Sequence, residues 1–257
     1  MQPSERIAAA IRAANDSERP GLVPFITAGY PDPEEFAATL KQVASEGDVV
    51  ELGIPFSDPM ADGMTIQRSS FEALKKGVSL AWIFEQLDGV VDEIETPLVM
   101  MSYLNPLLAF GYDKLAERAL ETGVCGFIVP DLPYEESEEL RAALEKRGLG
   151  LIQLVTPATP DERLTMLCDA SRGFVYAVTI TGITGGDVGL PSDLADYLDR
   201  VSEASSLPVC AGFGIREAED VANVGEHAAG AIVGSALVEA IERGDSPSDF
   251  LRTLKAK

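Results

Sequence analysis

Residues 22–33 read LVPFITAGYPDP. The first five are apolar without alternation, which is how a parallel strand covered on both faces reads. The turn that follows separates two parallel-sheet folds. An open, doubly wound nucleotide-binding sheet would place a Gly-x-Gly-x-x-Gly fingerprint directly after its first strand. Here the turn is TAGYPDP, with one glycine and two prolines. Asp32 is suited to cap a helix over 33–45, with Pro33 at its first position.

Outward from this stretch the pattern repeats. Short apolar runs fall at 49–52, 98–101, 126–129, 150–155, 174–178, 208–211 and 231–233. Helical patterns lie between them, at 113–121, 135–146, 161–170, 192–203, 217–224 and 236–243, and as two pieces within 63–90 broken at Gly77. Strand alternating with helix about eight times over 257 residues predicts an α/β fold, a (β/α)₈ TIM barrel. Residues 4–14 and 248–257 read as extra terminal helices. No low-complexity linker divides the chain, so 1–257 is expected to be a single domain. The open doubly wound sheet is the alternative.

Composition limits the chemistry. Lys plus Arg is 20 against 42 Asp plus Glu, a formal charge of −22. That balance argues against nucleic acid and anionic membrane as partners. The acids are spread over helix faces, and 46% apolar residues support a packed core. An acidic shell of this kind suits a salt-rich cytoplasm, so a halophilic source is expected. No apolar run is long enough to span a bilayer, and the start MQPSERIAAAIRAA resembles neither a signal nor a transit peptide. A cytoplasmic protein is expected. Cys125, Cys168 and Cys210 lack metal-ligand spacing and read as small buried thiols. The single histidine, His227, precedes the last strand, on the face of a barrel away from the usual site. Metal-assisted and serine-nucleophile chemistry are therefore disfavoured. The lysines fall on helices or the tail, where none is desolvated for a Schiff base. Acid–base chemistry by carboxylate and phenol remains.

Barrel enzymes place their reacting groups at the C-terminal strand ends. There the chain carries ELGIPFSDPMADG (51–63), and Glu51 interrupts an apolar run. Either Glu51 points into the barrel mouth, where desolvation would raise its pKa, or it is a buried acid bonded to backbone or hydroxyls. Asp62 in the turn ADG reads alone as a turn acid, and Asp58 as a loop acid. Three glycine patterns follow strands six, seven and eight: TGITGG (181–186), AGFGI (211–215) and VGSA (233–236). Each precedes a helical pattern, and helix N-termini bind anions through free N–H groups. Together they predict a small phosphorylated substrate, held without a basic residue.

These motifs, with PFITAGYPD (24–32), IQRSS (66–70), MSYLNP (101–106), VPDLPYEE (129–136) and TPATP (156–160), resemble the tryptophan synthase alpha chain family over nearly the whole length. The resemblance implies reversible retro-aldol cleavage of indole-3-glycerol phosphate to indole and glyceraldehyde 3-phosphate, with no cofactor and no metal in this chain. Carried onto this sequence, Glu51 is the proton shuttle, Asp62 holds the indole N–H and Tyr176 sits against the site. Thr184 orients Asp62 on loop closure. Gly185, Gly214, Gly234 and Ser235 hold phosphate, and Phe25, Met101, Ile128 and Phe213 form the indole pocket. The partner implied is a pyridoxal-phosphate beta chain in a heterotetramer of two alpha and two beta chains, touched by Pro55, Asp58, Asn105 and Pro133. The departures from the family pattern are Thr179 for serine, Ile180 for a basic residue and Met64 for proline. They bear on closure of the strand-six loop. Two other functions are consistent with the residues: a different phosphosugar barrel enzyme, and a non-catalytic activator of a partner chain.

Overall fold

The computed structural model describes residues 1–178, 192–212 and 214–255. Helix α1 (Pro3–Asp16) precedes β1 (Gly21–Thr27), α2 (Phe36–Ala44), β2 (Val50–Gly53), α3 (Met64–Lys75), α4 (Leu80–Asp88) and β3 (Leu98–Met101). Then come α5 (Leu104–Phe110), α6 (Tyr112–Glu121), β4 (Val124–Ile128), α7 (Glu138–Glu145), β5 (Gly150–Val155) and α8 (Asp161–Ala170). The chain ends with β6 (Val175–Val178), α9 (Ser192–Ala204), β7 (Val209–Gly212), α10 (Ala218–Gly225), β8 (Gly230–Val233), α11 (Ser235–Glu242) and α12 (Pro247–Lys255). The eight strands form a closed barrel in sequence order, and β1 pairs with β8 in parallel. This is the (β/α)₈ barrel; the open sheet is ruled out because both of its edges are paired.

Closure follows from the apolar runs. On each strand, alternate residues face inward and outward. Leu22, Ile26, Val50 and Leu52 join the outer core against the helices, while Val23, Val49, Val99, Ile128, Ile152, Phe174, Cys210 and Ile232 fill the inside. Glu51, two residues after Val49, lies on the inner face, level with Phe25 on β1 and Val99 on β3.

The first terminal helix is more than an addition. Ile7 and Ile11 of α1 belong to the interior cluster and are fully buried, so α1 plugs the barrel at the ends where the strands begin. Gly173 permits the approach. Its φ of +93° excludes most side chains, and an added Cβ would stand 3.0–3.2 Å from Ile7.

Helix 33–45 starts as a 3₁₀ turn at Pro33–Glu35, where the Asp32 carboxylate accepts from the Glu34 N–H at 3.2 Å. The two pieces within 63–90 are α3 and α4, on either side of Gly77. Helix α5 was not expected; LNPLLAF carries a proline and too short a period to stand out. Cys125, Cys168 and Cys210 are free and buried. Among the described residues no helix is long and apolar enough to cross a membrane.

Candidate active site

A cleft of about 270 Å³ opens at the C-terminal ends of the strands. Residues near the C-terminal ends of seven of the strands line it, Phe25, Glu51, Met101, Leu154, Tyr176, Gly212 and Ile232, and Pro130 lines it from just beyond β4. Asp62 reaches it from the β2–α3 loop, and Gly214, Gly234 and Ser235 close the opposite wall.

Glu51 is 1% exposed, and among the described residues neither of its carboxylate oxygens has a hydrogen-bond partner. A buried charge without partners is costly, and such a group keeps its proton instead. Burial, and then the nearby Asp62 charge, push its pKa up to about 8. The reading of Glu51 as a backbone-bonded structural acid is not what the structure shows. An acid poised near neutrality can both give and take a proton.

Asp62 is also raised by burial, but a hydrogen bond from the Tyr103 hydroxyl opposes the shift. The two carboxyls thus differ in environment, one dry and one hydrogen-bonded, which favours different protonation states. Tyr103, buried and stacked on Phe56 with ring centroids 5.0 Å apart, also accepts the Ala61 N–H at 2.8 Å. From the far side of the loop, Gln67 donates to the Asp62 carbonyl at 2.8 Å. Tyr103 therefore anchors the segment that presents Asp62. Nothing in the local sequence marks Tyr103 for this role, although it stands within MSYLNP just after β3.

Tyr176 is held as a neutral phenol, chiefly by burial and then by the Glu51 and Asp62 charges. It lies over β7, where a Cβ on Gly212 would stand 2.8 Å from the Tyr176 hydroxyl oxygen. Gly212 is thus required for the packing of Tyr176 over β7.

The phosphate motifs divide. At VGSA, Gly234 is the residue before α11, which starts at Ser235 without a side-chain cap. A Cβ at 234 would meet nothing closer than Phe25 at 3.8 Å, so the space above this backbone is open to an anion. AGFGI behaves otherwise. Gly214 lines the cleft, but α10 begins only at Ala218 and is capped by its own Glu217 and Asp220. The helix expected after AGFGI is present, but its first turn is satisfied from within the chain. Thr184 and Gly185 of TGITGG, and Phe213, lie outside the described residues.

Two other assignments shift. Ile128, the register partner of Met101, is fully buried in the interior cluster with Val99 and Ile152 and does not line the cleft. On its own chain segment the cleft is lined instead by Pro130, two residues beyond the end of β4. Pro55 is buried in this chain, whereas Asp58, Asn105 and Pro133 are exposed. His227 is at the other end of the barrel, its Nδ1 2.8 Å from Asp199. A larger groove of about 660 Å³ opens there. The Arg19, Lys255 and His227 side chains there are already paired with Asp48, Glu46 and Asp199, and among the described residues the groove holds no buried unpartnered group such as Glu51.

The family model for tryptophan synthase alpha chain matches residues 11–257. A tryptophan synthase alpha chain from Desulfovibrio desulfuricans is 44% identical over 248 residues, covering 95% of this chain and 97% of that one. Another from Roseiflexus sp. is 42% identical over 260 residues, covering 97% and 99%. The solved structure of tryptophan synthase subunit alpha from Legionella pneumophila has a TM-score of 0.86 at 34% identity, covering 97% and 98%. With Glu51 and Asp62 of ELGIPFSDPMADG meeting in one cleft of a closed eight-stranded barrel, and with likeness of this extent over almost the entire length, the chain belongs to the tryptophan synthase alpha chain family.

Proposed function

We propose that Glu51, Asp62 and Tyr176 carry the reaction of the family, the lyase cleavage of indole-3-glycerol phosphate in tryptophan biosynthesis. Breaking the bond between the indole ring and the glycerol chain requires a proton at the ring carbon and loss of one from the adjacent glycerol hydroxyl. Electron density passes through an indolenine-like state, which an acceptor at the ring N–H stabilises. Glu51, dry and near neutrality in pKa, moves the protons. Asp62, kept hydrogen-bonded by Tyr103, accepts the indole N–H. Phe25, Met101, Leu154 and Ile232 pack the ring, and Tyr176 bounds it as a neutral phenol. Phosphate lies over Gly214, Gly234 and the start of α11, where amides and the helix dipole favour an anion. Thr184, Gly185 and Phe213 belong to this site by the family pattern.

The observation that carries this reading is the Glu51 carboxyl, buried without a hydrogen-bond partner among the described residues and lining the cleft. Its test is indole release from indole-3-glycerol phosphate. Glu51→Gln keeps the shape and removes the titrating group, so turnover should fall by about 10²-fold or more while substrate binding is nearly kept. Wild-type turnover in this variant would remove Glu51 from the chemistry.

The receiving partner in this proposal is a pyridoxal-phosphate beta chain, in a heterotetramer in the cytoplasm. Asp58, Asn105 and Pro133 are exposed on the rim that carries the cleft, beside Met60 and Met64, which are 86% and 85% exposed. Exposed methionines of this kind favour an adaptable contact surface.

A further inference from the structure

Among the described residues lining the cleft, Arg216 is the only cation; the acids are Glu51 and Asp62. A phosphorylated substrate must enter this cleft against a chain charge of −22, which repels a dianion at long range. Amides at a helix start bind phosphate once it arrives, but their partial charges fall off within a turn. A full positive charge at the mouth would offset the repulsion.

Arg216 is fixed for this task. It stands two residues after Gly214, and its backbone N–H donates to Asp220 at 2.8 Å. Its Nη1 donates to Glu239 Oε2 at 3.0 Å, and Glu239 Oε1 accepts the Thr65 hydroxyl at 3.0 Å. Glu239 is one helical turn after Ser235 on α11, and Thr65 is three residues after Asp62. The chain Arg216–Glu239–Thr65 therefore links the phosphate wall to the wall that carries Asp62. Arg216 lines the cleft and Glu239 does not, so the positive member of the pair is the one beside the ligand space. The side chain of Arg216 is 51% exposed, and a guanidinium carries donors on three nitrogens.

We infer that Arg216 is a substrate-recognition residue of this enzyme, drawing in and holding the phosphate end in addition to the glycine amides. This rests on the reading above that the phosphate lies over Gly214, Gly234 and Ser235. It also revises the expectation that this site needs no basic residue.

The test measures binding of glyceraldehyde 3-phosphate and of indole, separately, to the wild type, Arg216→Gln and Arg216→Lys. Arg216→Gln should weaken glyceraldehyde 3-phosphate about three- to tenfold and leave indole unchanged. The KM for indole-3-glycerol phosphate should rise in step while kcat is nearly kept. Arg216→Lys should restore most of the loss, and the gap between wild type and Arg216→Gln should narrow in molar KCl. Equal phosphate affinity in wild type and Arg216→Gln overturns the inference. So does a parallel loss of indole binding, which would mark Arg216 as a structural residue only. A wild-type protein that binds indole but not glyceraldehyde 3-phosphate would overturn the phosphate-site reading itself, before any variant is compared.

Discussion

Glu51 has opposite effects on folding and on chemistry. With its pKa raised to about 8 in the folded chain from an ordinary 4.5, it holds a proton that the unfolded chain has released across that window. The folded state binds more protons there, so stability is highest below pH 4.5 from this group, falls as pH rises, and levels off above 8. The slope is about 1.4 kcal/mol per pH unit, a few kcal/mol in all. In Glu51→Gln this slope should vanish. Urea unfolding across the window should show the variant gaining on the wild type from acid to pH 8. A constant difference at every pH would mean that the folded site keeps Glu51 ionised. The sequence already marked this residue, because an acid inside VVELGIP has no polar face to occupy. Tyr103 was not marked. A tyrosine after a strand is common, and only the folded chain shows its hydroxyl shared between Ala61 and Asp62.

Among the elements, the strands were legible to within a residue or two because burial on both faces leaves little but apolar side chains. Helix ends were less so. The helix read over 135–146 opens as a 3₁₀ turn, so that α7 starts only at Glu138, and α5 was hidden by its brevity. The role of α1 was not legible either: SERIAAAIRAA reads as an amphipathic helix whatever covers it. In the fold its Ile7 fills the barrel floor against Gly173 and Gly126. Ile7→Ala should open a cavity there and cost about 2–5 kcal/mol in chemical unfolding. Indole release per folded molecule should hold, because the cleft is at the opposite end. A loss well under 1 kcal/mol would show that the floor collapses around the gap and that α1 is not needed as a plug.

At the scale of the molecule, the charge of −22 is distributed over the outer helices, where arginines such as Arg118, Arg163 and Arg252 pair with neighbouring acids. Exposed pairs of this kind contribute little singly and leave the excess acids unpaired. Counterions should supply the rest, as a salt-rich cytoplasm would. The melting temperature should rise by several degrees from low to molar KCl as the screening length shortens from tens of ångströms to a few. A flat melting temperature over that range would argue against a salt-adapted chain.

The sequence by itself determined the barrel, the family and the acids at the second strand, because these depend on local pattern: continuous apolar runs, helical spacing, and residues adjacent along the chain. Only the tertiary structure decided which residues share the cleft. It placed Met101 in the cleft wall and left Ile128 out of it, gave Tyr103 its hold on Asp62, and brought Arg216 into the same cleft as Gly214 and Gly234. The reason is geometric. Closing eight strands into a ring joins residues far apart in sequence, and their depth within the ring depends on the register between strands, which no single stretch of chain contains.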